Sequence, residues 1–246
     1  MRTLAILTLA MGGNLLAQGR GGPPQPPRAA APVDLTGYWV SLVTEDWRFR
    51  MVTPPKGDFG AVPLNPEGRK IALAWDPAQD EASGAQCKAY GAGGLMRIPG
   101  RLHITWRDDN TLQLETDAGT QTRTFYFGAP QAKGGDWQGV STAAWDRSAS
   151  VLTSFFGAGL SSGGSLKVVT TQMKPGYLNR NGIPFSANSV MTEYYDRQDV
   201  PNGDSLLVIS TEVVDPAYLS QPFWTSTHFK KQSDGSGWNP TPCSAK

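Results

Sequence analysis

The chain has 246 residues, with 22 lysines plus arginines, 21 aspartates plus glutamates and a net charge of +1. That balance gives no electrostatic ground for a nucleic-acid partner or for attraction to an anionic membrane surface. Eight tryptophans, nine phenylalanines and seven tyrosines can build a substantial core, and 28 glycines with 19 prolines suit many turns between short elements.

Residues 1–17 read as a secretory signal. Met1-Arg2 is positive, Leu4 to Met11 is apolar, Gly12-Gly13-Asn14 breaks the run, and Ala17 is a small residue before Gln18. The apolar run is far shorter than the roughly 20 residues that span a bilayer, so no transmembrane segment is expected. The expected destination is the periplasm or the exterior. Residues 18–33 are rich in Pro, Gly and Ala and read as a disordered linker. One domain is expected over 34–246.

Within that domain, Val40, Leu42 and Thr44 alternate with Ser41 and Val43 as in a strand. Asp46 to Val52 also alternates, with Trp47, Phe49 and Met51 on one face and Arg48 and Arg50 on the other, and predicts a second strand. Asn65 can cap a helix starting at Pro66 and running to Trp75, and Asp76-Pro77 ends it. Residues 84–100 are Gly-rich. Three strands follow at Arg101–Arg107, Thr111–Asp117 and Thr120–Phe127, separated by Asp108-Asp109-Asn110 and Ala118-Gly119. Residues 137–145 predict a further strand, Ser150–Phe156 is ambiguous, and Ser161 to Gly164 is a turn. Leu166–Met173, Val190–Asp196, Leu206–Val214 and Phe223–Lys230 predict four more strands. The connection 174–189 is long, and long loops in compact domains are often functional.

Eight to ten strands with one helix predict an all-β fold. The expected architecture is an antiparallel up-and-down barrel, whose closure removes exposed edges; a two-sheet sandwich is the alternative. Cys87 and Cys243 are the two cysteines. An exported protein with an even count usually oxidises them, so a disulfide is expected, with a reactive catalytic thiol as the competing reading.

Gly37-Tyr38-Trp39 resembles the G-x-W entry of lipocalin/calycin barrels. That resemblance implies a tryptophan plugging the closed end, with a basic residue of the last strand, Lys230 or Lys231, packed over it. A wider resemblance joins the chain to uncharacterised secreted proteins, common in acidobacteria, that begin D-L-[ST]-G-x-W after a Pro/Gly-rich spacer. It rests on Pro63 to Gly68, Cys87 with Gly91, Trp137 to Trp145, Leu166 to Thr171, Thr192 to Tyr195, and Asp215 to Tyr218 with Pro222-Phe223. Relatives often carry G-H-S where this chain has Gly139-Val140-Ser141. The resemblance implies fold and export, not an activity.

Among candidate functional residues, Glu193 shares a strand face with Met191 and Tyr195, and Arg123 shares one with Phe125 and Phe127. Charges on apolar faces predict either a buried Arg123–Glu193 pair or a ligand anchor. His103 and His228 could meet Glu193 and Tyr195 across a barrel and form an acid–base site. Trp47, Arg48, Arg50, Arg123, Tyr126 and Trp224 are candidate ligand-binding residues, through ring stacking and guanidinium hydrogen bonds. No H-x-H or H-E-x-x-H spacing marks a metal site. No P-loop, G-x-S-x-G elbow or dinucleotide fingerprint marks a cofactor or nucleophile. No pattern sets an oligomeric state. Two functional readings follow. One is an exported barrel holding a small, partly apolar ligand in its interior; the other is an extracytoplasmic lyase, isomerase or hydrolase built on the Glu-His/Tyr set.

Overall fold

The structure, a computed structural model, describes residues 25–146 and 164–245. The expected leader 1–17, the ambiguous stretch Ser150–Phe156 and most of the Ser161–Gly164 turn lie outside the described residues. The strands are β1 (Gly37–Leu42), β2 (Arg101–Asp108), β3 (Thr111–Thr116), β4 (Gln121–Tyr126), β5 (Val140–Asp146), β6 (Ser165–Thr171), β7 (Gly176–Asn179), β8 (Ile183–Phe185), β9 (Val190–Asp199), β10 (Ser205–Val214) and β11 (Phe223–Lys231). All except β7 and β8 close into a barrel in chain order, and β7–β8 is a separate hairpin inserted between β6 and β9.

The barrel is all-β, as the alternation of apolar residues requires. Its strand directions carry one departure from the expected antiparallel meander. A ring with an odd number of strands cannot reverse direction at every pair, so one pair must run parallel. That pair is β4–β5, registered at only Phe125↔Ser141 and Tyr126↔Thr142. Closure between β1 and β11 is antiparallel, with Trp39 opposite Lys231 and Leu42 opposite His228. Residues 127–139 carry the chain back along the barrel for this parallel step. Gly139 ends the crossover with φ +60°, where an added Cβ would lie 2.4 Å from the Thr171 carbonyl oxygen.

The two ends of the barrel differ. At one end sits Trp39, fully buried, whose Nε1 donates to the Leu35 carbonyl at 2.9 Å. Lys231 packs over its ring, with Nζ 4.5 Å from the centroid, while Lys230 instead binds Asp204 Oδ2 at 2.7 Å. At the other end four short helices pack with the β7–β8 hairpin: α1 (Trp47–Arg50), α2 (Pro66–Leu73), α3 (Pro77–Ala82) and α4 (Ala92–Leu95). A second apolar cluster fills this end, with Val62, Leu64, Leu178, Phe185, Met191, Val213 and Phe223. The Cys87–Cys243 disulfide ties the C-terminal strap to it.

The helix at Pro66 forms as its cap predicts, with Asn65 Oδ1 accepting the Gly68 amide at 2.9 Å. Asp76 does more than end it. Its Oδ1 accepts the Ala78 amide at 2.9 Å and starts α3, a helix the sequence reading did not anticipate. Two blocks of the family resemblance meet at α2. Asn65 N donates to the Tyr218 carbonyl at 2.9 Å, Asn65 Nδ2 to that of Ala217 at 3.0 Å, and a Cβ on Gly68 would strike the Tyr218 carbonyl. These motif residues fasten the cap to the wall.

Three expectations are corrected. The predicted strand at Asp46–Val52 is the helical turn α1, entered through Asp46 at φ 49°. Helical spacing turns Arg50 inward, where Nε donates to the Arg97 carbonyl at 3.1 Å, and leaves Trp47 65% exposed. The connection 174–189, read as a long loop, contains the β7–β8 hairpin, packed into the cap. Residues 25–33 are not a free linker, because they fold onto the Trp39 end. Trp145 Nε1 donates to the Pro27 carbonyl at 2.8 Å, Arg28 N to the Asp109 carbonyl at 3.1 Å, and Val33 packs on the barrel core.

Candidate functional site

The barrel interior carries a polar layer inside an apolar wall. Arg123 and Glu193 are both fully buried and form a two-pronged ion pair. Arg123 Nη1 donates to Glu193 Oε1 at 2.9 Å and Nη2 to Oε2 at 2.6 Å. The same nitrogens reach Tyr195 OH at 3.3 Å and Thr170 Oγ1 at 3.1 Å, and Thr170 lies 2.8 Å from Ser141 Oγ. The pair expected from charges on apolar faces is therefore present. The alternation that puts Phe125, Leu114 and Met191 inward puts these groups inward too.

Burial acts to lower the pKa of Arg123, but the Glu193 carboxylate outweighs it and raises the value above the ordinary arginine range. Burial, then the Glu193 charge, raises the Tyr195 phenol well above its usual value. That shift favours the protonated phenol. Phe125, Leu114, Ile104 and Tyr195 pack at full burial around the layer. The pair locks strands β4 and β9 across the lumen: a buried ion pair with matched hydrogen bonds holds register, and removing one partner strands the other charge.

The two histidines are on the opposite face of the wall from Glu193. His103 Nδ1 lies 3.2 Å from Glu115 Oε2, and its ring stacks on Tyr38 at 4.0 Å with Trp238 edge-on to both. His228 Nδ1 lies 2.7 Å from Glu45 Oε2. Burial pushes the Glu45 carboxyl up, but hydrogen bonds with Thr44 and His228 and the charge of Arg50 hold it below the usual range. The Glu-His/Tyr set is therefore not assembled: Glu193 and Tyr195 meet inside, and each histidine pairs with a different outer carboxylate.

The candidate ligand-binding residues also disperse. Arg48 pairs with Asp58 at 2.5 Å, Arg50 is bound to Glu45, and Trp47 points outward between them. The strand face that would have aligned both arginines beside Trp47 does not exist. Tyr126 and Trp224 lie on the outer face of β4 and β11, and Trp224 is exposed. Arg123 is committed to Glu193. Among the described residues no group of three or more His, Cys, Asp or Glu could hold a metal ion.

A cleft of about 350 Å³ opens instead at the Trp39 end, lined by Arg28, Ala31, Val33, Asp34, Thr36 and Trp106. Its lining takes its aromatic face from Trp106, whose ring is backed by a cluster outside the lining: it stacks on Phe127 at 5.5 Å, and Trp145 lies 5.5 Å from Phe127 and 6.4 Å from Trp106. Its polar side is ordered by a turn in which Asp34 Oδ1 accepts from Thr36 N at 2.9 Å and Thr36 Oγ1 at 2.7 Å. Burial pushes the Asp34 carboxyl up, but these bonds and the charges of Lys231 and Arg197 hold it below its usual value. Sequence reasoning missed this cleft, since Arg28, Ala31 and Val33 of its lining come from the stretch read as linker. The available signal was Trp106, a large aromatic near the end of β2 in phase with Leu102 and Ile104.

No family model, curated protein or solved structure matches the chain. Among the described residues no helix is long and apolar enough to cross a membrane.

Proposed function

We propose that this is an exported β-barrel that binds a small, partly apolar molecule at the Trp39 end. The observation that carries this reading is the cleft of about 350 Å³ with apolar Ala31, Val33 and Trp106 beside polar Arg28, Asp34 and Thr36. Its volume sits at the lower end of small-molecule sites, about 300–1,000 Å³, and its mix of an apolar wall with a few polar groups is what such sites use. The interior reading of the sequence moves outward because the lumen is occupied by Trp39, Phe125, Tyr195 and the Arg123–Glu193 pair. Export is supported by the leader-like residues 1–17 and by the disulfide, which persists in oxidising compartments. The D-L-[ST]-G-x-W resemblance supports the same compartment.

The test is a titration with two naphthyl probes, 1-anilinonaphthalene-8-sulfonate and N-phenyl-1-naphthylamine, read by energy transfer from tryptophan. The expected result is saturable binding of at least one probe with one site per chain, weakened about tenfold or more in Trp106→Ala. Binding of neither probe, or binding unchanged in Trp106→Ala, overturns the reading.

A further inference from the structure

Resting on that reading, we propose that the ligand is a planar organic anion, with its carboxylate, sulfonate or phosphate on Arg28 and its ring against Trp106. The polar groups of the cleft are unequal in what they leave open. Asp34 is already used: its carboxylate accepts two bonds from Thr36 and faces Lys231 and Arg197. Arg197 spends its nitrogens on the Asp34 carbonyl at 2.9 Å, Asp199 at 3.0 Å and Ser205 Oγ at 3.2 Å. Lys231 is drawn inward to the Thr36 carbonyl and the Trp39 ring. Arg28 differs. Its backbone is held, with N donating to the Asp109 carbonyl and its own carbonyl accepting from Ala31, yet its guanidinium makes no hydrogen bond or ion pair with a described residue.

A fixed backbone that carries an unpaired guanidinium at the rim of an aromatic cleft is a receptor for an anion. The guanidinium fork matches a planar or tetrahedral oxyanion through two parallel hydrogen bonds, which are stronger than neutral ones. A neutral ligand would leave that charge unanswered. A cation would meet Arg28 with no free carboxylate among the lining residues, because Asp34 is engaged. The flat partner is set by Trp106, whose indole borders the cleft and is itself stacked on Phe127.

The two probes separate the layers of the claim, because they share one aromatic body and differ by the sulfonate. At low salt the sulfonate probe is expected to bind about tenfold more tightly than the uncharged one, with affinity falling as salt rises. Arg28→Gln is expected to remove that preference and leave the uncharged probe unchanged, and Arg28→Lys to restore part of it. Arg28 is exposed, so both variants are expected to keep the wild-type unfolding midpoint. Equal affinity for the two probes, or a preference that survives Arg28→Gln, overturns the anion assignment while leaving binding at the cleft standing. Binding of neither probe overturns both.

Discussion

At the disulfide end the barrel is sealed by layers. Leu178, Phe185, Met191 and Phe223 fill the opening, α2 is pinned through Asn65 to the 217–218 carbonyls, and a covalent bond holds the strap. At the Trp39 end, among the described residues, the proline-containing segment 25–33 lies over the opening, held by a few hydrogen bonds and bordering a cleft. Between them the Arg123–Glu193 layer divides the lumen. Among the described residues the closure is thinner at the Trp39 end, where the proposed ligand site lies. Functional positions are drawn from the less tightly built parts of a fold, because ordering and release there involve little core.

The largest expected effect lies in the dividing layer. Glu193→Ala leaves the Arg123 guanidinium buried and unpaired, and should lower stability by about 3–5 kcal/mol in denaturant unfolding. The double substitution Arg123→Met with Glu193→Leu should recover most of that loss. If the single variant unfolds like the wild type, the layer does not lock the two halves. Next is the sealed end. Replacing Cys87 and Cys243 by Ser should lower stability by about 2–5 kcal/mol, as expected for a bond closing a loop of 156 residues. Probe affinity at the opposite end should change less than about twofold; a large loss of binding would show that the ends are not independent.

The smallest effect belongs to the open end. Asp34 has its folded-state pKa below the ordinary 3.8, so its contribution is present above that value and lost as pH falls through the lower, folded value. Asp34 is exposed, so the contribution is a few tenths of a kcal/mol at most. Asp34→Asn should be slightly less stable than the wild type near neutral pH, and the two should converge in acid below the folded-state value. A difference that grows in acid would contradict the assigned direction.

What was legible in the chain follows the range of the interactions involved. Strands β2 and β3 were readable because Leu102, Ile104, Leu112 and Leu114 alternate, and alternation is a local property. The Arg123–Glu193 pair was readable because two charges sat in apolar phase on separate strands, and each needed a partner. The packing of a last-strand lysine over Trp39 came with the G-x-W resemblance, and geometry selects Lys231 since it lies directly opposite Trp39 in register. Residues 46–52 misled because period-two alternation also fits a short helical turn. The choice was made by Arg97 and Glu45 around Arg50, contacts the local pattern does not contain. The histidine partners were out of reach for the same reason, His228 and Glu45 being 183 residues apart. The segment 25–33 has linker composition, and only the Trp145 indole and the Asp109 carbonyl, far along the chain, turn it into a wall.

The most direct measurement is a crystal structure of the chain with 1-anilinonaphthalene-8-sulfonate bound. Density for the naphthyl ring beside Trp106, with the sulfonate within hydrogen-bond reach of Arg28, is the expected outcome. A ring lodged in the lumen beside Glu193, or seated among the helices of the disulfide end, would contradict it.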